Sequence, residues 1–437
     1  MKPLTVFAES TPRGTGAISI IRITGPETLR ILRLITGIYE WPPHFQKKAG
    51  IKDPDAKLVD TVMAVFHPGP SSYTGEDTAE ISCHGNPLLV KSVIDTIIAT
   101  GLAVEADRGE FTSRAYLNGK MDIAQAEAIS ALIGAKSYCA IEMSKSLMSG
   151  KLSDGIKSIK NDLEQLYSEF EADFILDESE LDTSRFLQRI EQKILMLQGY
   201  KSSYDESGYA YSGIRTAIAG LPNAGKSSLF NAILGYDRAI VHEEEGTTRD
   251  VIKEHLEFNG LDFIFLDTAG LREPGKGPEA AGIEMTKQAM ENADMVLYVI
   301  DSVKGITEKD RQWLSSRNNI IAVFNKSDLC SKPIEMADDI LSVCVSAKYN
   351  IGIDRLLTTM RNQFPQGIPC LFIERHGALV KKALDALKAF KNGLLTVTPD
   401  AAITDLKEAI KALKSILGEE MDQDVLDDIF SRFCIGK

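Results

Sequence analysis

The sequence predicts a multidomain α/β protein: a small N-terminal mixed α/β domain, an all-α helical domain, and a doubly covered α/β domain inserted into the helical one. Three textures carry this reading. Residues 1–119 alternate short β-branched runs, such as AISIIRITG and DTVMAVF, with turn chemistry such as HPGPSSYTGED; that alternation reads as short strands and loops. Residues 120–210 turn alanine-rich, with apolar residues at helical spacing in MDIAQAEAISALIGAKS. Residues 211–368 repeat strand, loop and helix, the pattern of a mostly parallel sheet covered on both faces. Helical texture returns over 369–437 in ALVKKALDALKAFKNGLL and DLKEAIKALKSILG. Both flanks then form one helical domain around the insertion.

Finer signals sit inside this frame. HLEFNGLDFIFLD holds an Asn-Gly pair between two apolar runs, which predicts a hairpin and an antiparallel pair in the otherwise parallel sheet. The acidic FILDESELDTS reads as an exposed turn between helices, since charge runs are usually solvated.

At 437 residues and 44% apolar content the chain has material for about three cores of ~150 residues each. The start, MKPLTVFAES, lacks the apolar centre of a signal peptide, and no uninterrupted apolar stretch reaches the ~20 residues a bilayer span needs. The expectation is a cytoplasmic protein with no membrane association. Six cysteines without a Cys-x-x-Cys pair point to neither a zinc site nor a disulfide framework. A net charge of -13 argues against a surface coated for nucleic acid. The acid is uneven: residues 1–120 carry 13 basic against 13 acidic side chains, residues 121–210 only 9 against 16. A polyanionic partner would therefore use a local basic face.

AIAGLPNAGKSS contains Gly220-x-x-x-x-Gly225-Lys226-Ser227 directly after an apolar run and before a helical one. In that setting it predicts a phosphate-binding loop. The backbone amides of Asn223, Ala224, Gly225, Lys226, Ser227 and Ser228 turn toward the phosphates at the positive end of a helix. Lys226 reaches the outer phosphates as a catalytic cation, and Ser227 ligates magnesium. Further motifs follow in the order a GTPase of the Ras-like P-loop type requires. Thr248, in HEEEGTTRD beside Thr247, completes magnesium coordination; Asp267 and Gly270 of LDTAG hold the ion through water and sense the γ-phosphate. Asn325, Lys326 and Asp328 of FNKSD, with Ser346, Ala347 and Lys348 of VSAK, form the base site. Asp328 accepts from the guanine N1–H and exocyclic amine, and the Ala347 N–H is aimed at O6. Adenine would leave that carboxylate unpaired at a cost on the order of 1–3 kcal/mol. The nucleotide is GTP.

The glutamine that orients water in Ras-type enzymes is replaced by Leu271, which has no hydrogen-bonding group. Candidates for that work are Glu279, Arg272, Arg249 or a bound cation. Asn223, inside the phosphate loop, has an amide oxygen able to help hold a monovalent ion that offsets developing charge.

Beyond these motifs, YTGEDTAEISCHG, GEFTSRAYLNGKMDIAQAEAI, GLPNAGKSSLFNAI, GTTRD, DTAGLR, NKSD and the terminal FCIGK together resemble the MnmE (TrmE) family of tRNA-modifying GTPases over nearly the whole chain. The resemblance implies an N-terminal domain like folate-binding aminomethyltransferases that also mediates homodimerisation. By position, Arg22, Glu80, Lys120 and Lys437 match the family's contacts to a tetrahydrofolate derivative, in its 5-formyl or 5,10-methylene form. Asn223 matches the potassium-binding asparagine, with the carbonyls of His242, Glu244 and Thr247 as further ligands, and Glu279 matches the glutamate that positions water. VHEEEG is more acidic than the family's cation loop, which bears on affinity more than on the site, because carbonyls do the ligating. The family works with an FAD-containing partner, MnmG, in a heterooligomeric complex, and installs an aminomethyl-type group on the wobble uridine of tRNA.

The ending "CIGK" lacks the features of a prenylation box, because Gly436 replaces an aliphatic residue and Lys437 is an unusual last one. A frayed tail is the plain alternative. The resemblance implies instead that the tail folds back toward the folate site and brings the catalytic thiol of Cys434 near the one-carbon unit. The competing function is a regulatory GTPase of ribosome assembly, though such proteins usually append a basic RNA-binding module and these flanks are neutral or acidic. A P-loop kinase or ATPase is opposed by Asn325 and Asp328.

Overall fold

A computed structural model of the chain describes residues 4–176, 183–236, 240–243, 254–266, 290–315, 319–330, 340–364, 371, 373–396 and 399–437. The acidic stretch at 177–182 lies outside them. The chain forms two compact units, one from residues 1–133, 145–197 and 378–437, the other from 134–144 and 198–377.

In the first unit, β1 (Thr5–Glu9), β2 (Ile18–Thr24), β3 (Lys47–Lys52), β4 (Leu58–His67), β5 (Thr78–His84) and β6 (Ala103–Glu105) form one sheet in the order β3-β4-β5-β2-β1-β6. Its pairs are antiparallel except β1 with β6. Alternation along the strands sends Ile21, Ile23, Val62, Ala64, Phe66, Ala79 and Ile81 into one core. Helices α1 (Thr28–Thr36) and α2 (Pro87–Ala99) contribute Ile31, Leu32, Ile35, Val90, Val93 and Ile97 to it. The opposite face turns Val6 and Ala8 toward Phe111 of α3 (Glu110–Leu117).

The expected helical layer follows as α4 (Ile123–Gly134), α5 (Tyr138–Met148), α6 (Lys151–Leu176) and α7 (Thr183–Ser212). Near the end of the chain it resumes in the helices Glu374–Thr396, Pro399–Leu417 and Gln423–Ser431. Phe170 packs edge-on against Phe186 and Phe390, with ring centroids 5.4 and 5.8 Å apart. These aromatic contacts join helices that are some 200 residues apart in sequence, so both flanks share one core. The last helix sets Ile429 and Phe430, followed by Phe433, against Ile123, Ala126 and Ile129 of α4.

In the second unit, β7 (Ile214–Ala219) leads through a loop into α8 (Lys226–Leu234), followed by β8 (Ile240–Glu243), β9 (Glu254–Phe258), β10 (Leu261–Phe265), β11 (Met295–Asp301), β12 (Ile320–Asn325) and β13 (Ser342–Cys344). The sheet order is β13-β12-β11-β7-β10-β9-β8. Strands β13, β12, β11, β7 and β10 are parallel, while β9 pairs antiparallel with β10 and β8. The predicted hairpin is present: Asn259 (φ 47°) and Gly260 (φ 88°) make the turn between β9 and β10, both in the left-handed region that a two-residue hairpin demands. Every residue of β11 is buried, as expected of a strand covered on both faces. Among the described residues no helix is long and apolar enough to cross a membrane.

One close approach seats the chain's end. A Cβ on Gly109 would lie 2.5 Å from the Phe430 carbonyl oxygen, and Gly109 has φ 69°. Gly109→Ala is expected to cost more than about 1 kcal/mol in denaturant unfolding; an unchanged midpoint would show that the two segments have room to spare.

Candidate functional site

The loop between β7 and α8 has its shape because two glycines permit it. A Cβ on Gly220 (φ 141°) would meet Val299 O at 2.3 Å, and one on Gly225 (φ 93°) would meet Asn325 Nδ2 at 2.2 Å. Asn223 also has positive φ, 64°, which asparagine tolerates better than most residues. Lys226 Nζ donates to the carbonyls of Gly220 and Leu221 at 3.0 and 3.1 Å, and burial holds its pKa below the usual lysine value. The ammonium is thus already partly stripped of water, at the place where the outer phosphates are expected. Ser227 and Ser228 occupy the first turn of α8.

Asn325, only 2% exposed at the end of β12, binds this loop to the segments that follow β12 and β13. Its Nδ2 donates to Ala224 O at 3.1 Å and Gly225 O at 3.4 Å. Its Oδ1 accepts the amides of Lys326 at 2.8 Å and Ala347 at 3.1 Å. The Ala347 N–H, expected from the sequence to face guanine O6, donates to Asn325 here. Lys326 (φ 65°) extends back to Asn223 O at 3.0 Å and to Asp301 Oδ2 at 2.6 Å. Burial acts to raise the Asp301 carboxyl, but the Lys326 ammonium and the Val303 amide outweigh it and hold it below its ordinary value. Asp328 is oriented by fully buried Ser346, whose hydroxyl donates to Oδ1 at 2.5 Å. Lys348 lies over the Tyr349 ring, 4.9 Å from its centroid. Asp301 was missed in the sequence; its only signal was an acidic residue at a strand end.

Thr247, Thr248, Glu244, Asp267, Gly270, Arg249, Leu271, Arg272 and Glu279 lie outside the described residues, as does the His242 side chain. The His242 backbone pairs with His255 in β9.

A second polar cluster stands on the first unit's sheet. Arg22 in β2 lies opposite Glu80 in β5, and its Nε donates to Glu80 Oε1 at 2.7 Å. The chain's end comes to this pair: Gly436 O accepts from Arg22 Nη1 and from Ser10 Oγ, both at 3.2 Å, and Ile435 bridges to Arg108. Gly436 has φ 84°, and a Cβ there would meet Ser10 Oγ at 2.7 Å. Burial, reinforced by Arg22, holds the Lys437 pKa below the usual lysine value against the opposing effect of Glu80 and Cys434. The Cys434 thiol is free and exposed. Lys120 points elsewhere, its Nζ donating to Pro70 O at 2.9 Å. Ser10 and Arg108 were not anticipated, since neither sits in a recognisable motif.

Asn325→Ala would leave the Lys326 and Ala347 amides and the Ala224 carbonyl unpaired. Unfolding should show a loss of about 1–3 kcal/mol, and GTP and GDP should weaken together. Unchanged stability with intact binding would refute the tie.

The family description "GTP-binding protein TrmE N-terminus" matches residues 5–120, and "MnmE helical domain" matches residues 123–434. The tRNA modification GTPase MnmE of Protochlamydia amoebophila is 36% identical over 447 residues, covering 99% of this chain and 97% of its own. The protein of the same name from Aquifex aeolicus is 35% identical over 446 residues, covering 99% of each chain. Among solved structures, Aquifex aeolicus Era bound to GDP and aluminium fluoride shares 28% identity over 39% of this chain and 65% of its own, with a TM-score of 0.26 that is too low to bear on the fold. Full-length similarity at this level, with both the N-terminal and helical descriptions matched, decides the assignment: the chain belongs to the MnmE family of tRNA modification GTPases.

Proposed function

We propose that this chain is a potassium-stimulated GTPase that acts with a flavoprotein partner of the MnmG type in tetrahydrofolate-dependent, aminomethyl-type modification of the wobble uridine of tRNA. The observation that carries the folate part is the seating of the chain's end on Arg22, itself paired with Glu80, the residues whose positions match the family's folate contacts. A tetrahydrofolate derivative there would supply the one-carbon unit. Arg22 and Lys437 suit its carboxylates and Glu80 its ring donors, with Cys434 as the adjoining thiol. Lys120 would have to leave Pro70 to join them. FAD belongs to the partner. The protein works in the cytoplasm as a homodimer through its N-terminal domain.

For hydrolysis, Lys226 would bind the outer phosphates, Ser227 and Thr248 would ligate magnesium with Asp267 holding it through water, and the Gly270 N–H would sense the γ-phosphate. Asn223, with the carbonyls of His242, Glu244 and Thr247, holds potassium, and Glu279 positions water in place of the glutamine that Leu271 lacks.

Two outcomes test this reading. Potassium chloride should accelerate GTP hydrolysis far more than sodium chloride at equal ionic strength, and Asn223→Ala should blunt the difference; equal turnover in the two salts would remove the cation cage. Cys434→Ser should abolish the modified uridine, measured by mass analysis of cellular tRNA, and leave GTP turnover near wild type. Serine keeps the shape but is much the weaker nucleophile. Normal modification in that strain would eliminate the chemical role of the thiol.

A further inference from the structure

Strand β4 ends at His67, and the loop entering β3 presents His44 beside it. Their Nδ1 atoms share one hydrogen bond of 2.8 Å, one ring donating and the other accepting, with ring centroids 5.0 Å apart and planes inclined by 48°. The loop is held to this arrangement. Pro42 and Pro43 precede His44, buried Trp41 anchors the segment by donating Nε1–H to Ile38 O at 3.0 Å, and the His44 N–H donates to Phe66 O at 2.8 Å. His44 sits at φ 59°, a left-handed conformation uncommon for a residue with a side chain. Backbone strain fixed where two imidazoles converge is the kind of feature that marks a binding function. Neither histidine serves the nucleotide loop or the cluster at Arg22.

We propose that His44 and His67 form a binding site for a divalent first-row metal ion that favours tetragonal or octahedral coordination, Cu2+ or Ni2+, held through the two Nδ1 atoms. With metal–nitrogen distances of about 2.0–2.1 Å, a nitrogen separation of 2.8 Å corresponds to a ligand angle of about 85–90°. A tetrahedral angle would need a separation of about 3.3 Å. With the proton that the two rings share displaced, the pair is spaced for two adjacent corners of a square or octahedron, the geometry of Cu2+ and Ni2+ sites with nitrogen and oxygen ligands. His44 is exposed and His67 half-buried, so water can fill the other positions. The strand register places Glu80 on the same sheet face as His67, with Val65 opposite Glu80 and His67 opposite Thr78, and the Glu80 carboxylate is ion-paired with Arg22. Among the described residues no third histidine, cysteine or carboxylate joins the pair as a ligand. The described residues supply two protein ligands to the site.

The test uses the full-length protein, freed of metal by chelation and titrated calorimetrically with Ni2+, Cu2+ and Zn2+. One equivalent of Ni2+ should bind more tightly than Zn2+, and bound Cu2+ should show coupling to two nitrogens by electron paramagnetic resonance. His44→Asn, chosen because asparagine accepts the left-handed backbone, and His67→Gln should each weaken Ni2+ binding by about tenfold or more. Melting temperature and GTP turnover should be unaltered in both, and His84→Gln should retain uptake. If His44→Asn fails to fold, His67→Gln alone decides. No Ni2+ uptake, uptake unchanged in the ligand variants, or a preference for Zn2+ would overturn the site.

Discussion

The nucleotide site depends on one buried carboxamide. Asn325 uses both ends of its side chain, donating to the carbonyls of Ala224 and Gly225 and accepting from the amides of Lys326 and Ala347. Each of these groups is costly to bury alone, so satisfying them at a single point ties the loop before α8 to the segments after β12 and β13. Gly225 is required by the approach of that amide. Lys326, placed by the same anchor, then reaches Asn223 and Asp301. The loop before α8 and the segments after β12 and β13 are thereby set relative to one another before any ligand contributes energy.

The first unit builds its polar cluster differently. A mixed sheet packs one face into an aliphatic core and lets part of the other carry Arg22 and Glu80. A helix anchored by Phe430 and Phe433 delivers the final residues to that pair. Packing supplies the position and a few charge-assisted bonds supply the register. The strands alone form the Arg22–Glu80 pair, and the chain's end, more than 400 residues downstream of Arg22 and Ser10, joins it by packing of the last helix.

Much of this was legible in the sequence because it follows local rules. The phosphate loop announces itself by glycine spacing between a strand and a helix, and Asn259-Gly260 by the backbone that a tight hairpin needs. The helical flanks show in their 3.6-residue periodicity. What escaped depends on distant partners. Asp301 matters only because Lys326 reaches it, Ser10 only because Gly436 arrives there, and the engagement of Ala347 N–H by Asn325 follows from the packing of two loops. No pattern along the chain encodes such pairings, since they are set by tertiary geometry.

Several of the contacts that hold both clusters together end on main-chain oxygen: Asn223 O receives Lys326, Ala224 O receives Asn325, and Gly436 O receives Arg22 and Ser10. Every residue type supplies that atom. At Asn223 and Ala224 a changed side chain leaves it in place as long as the backbone angle survives, whereas Gly436 has no room for a Cβ. Sites wired in this way can therefore persist through extensive sequence divergence, and chemical editing of the backbone, by replacing a single amide with an ester, is the perturbation that reaches them.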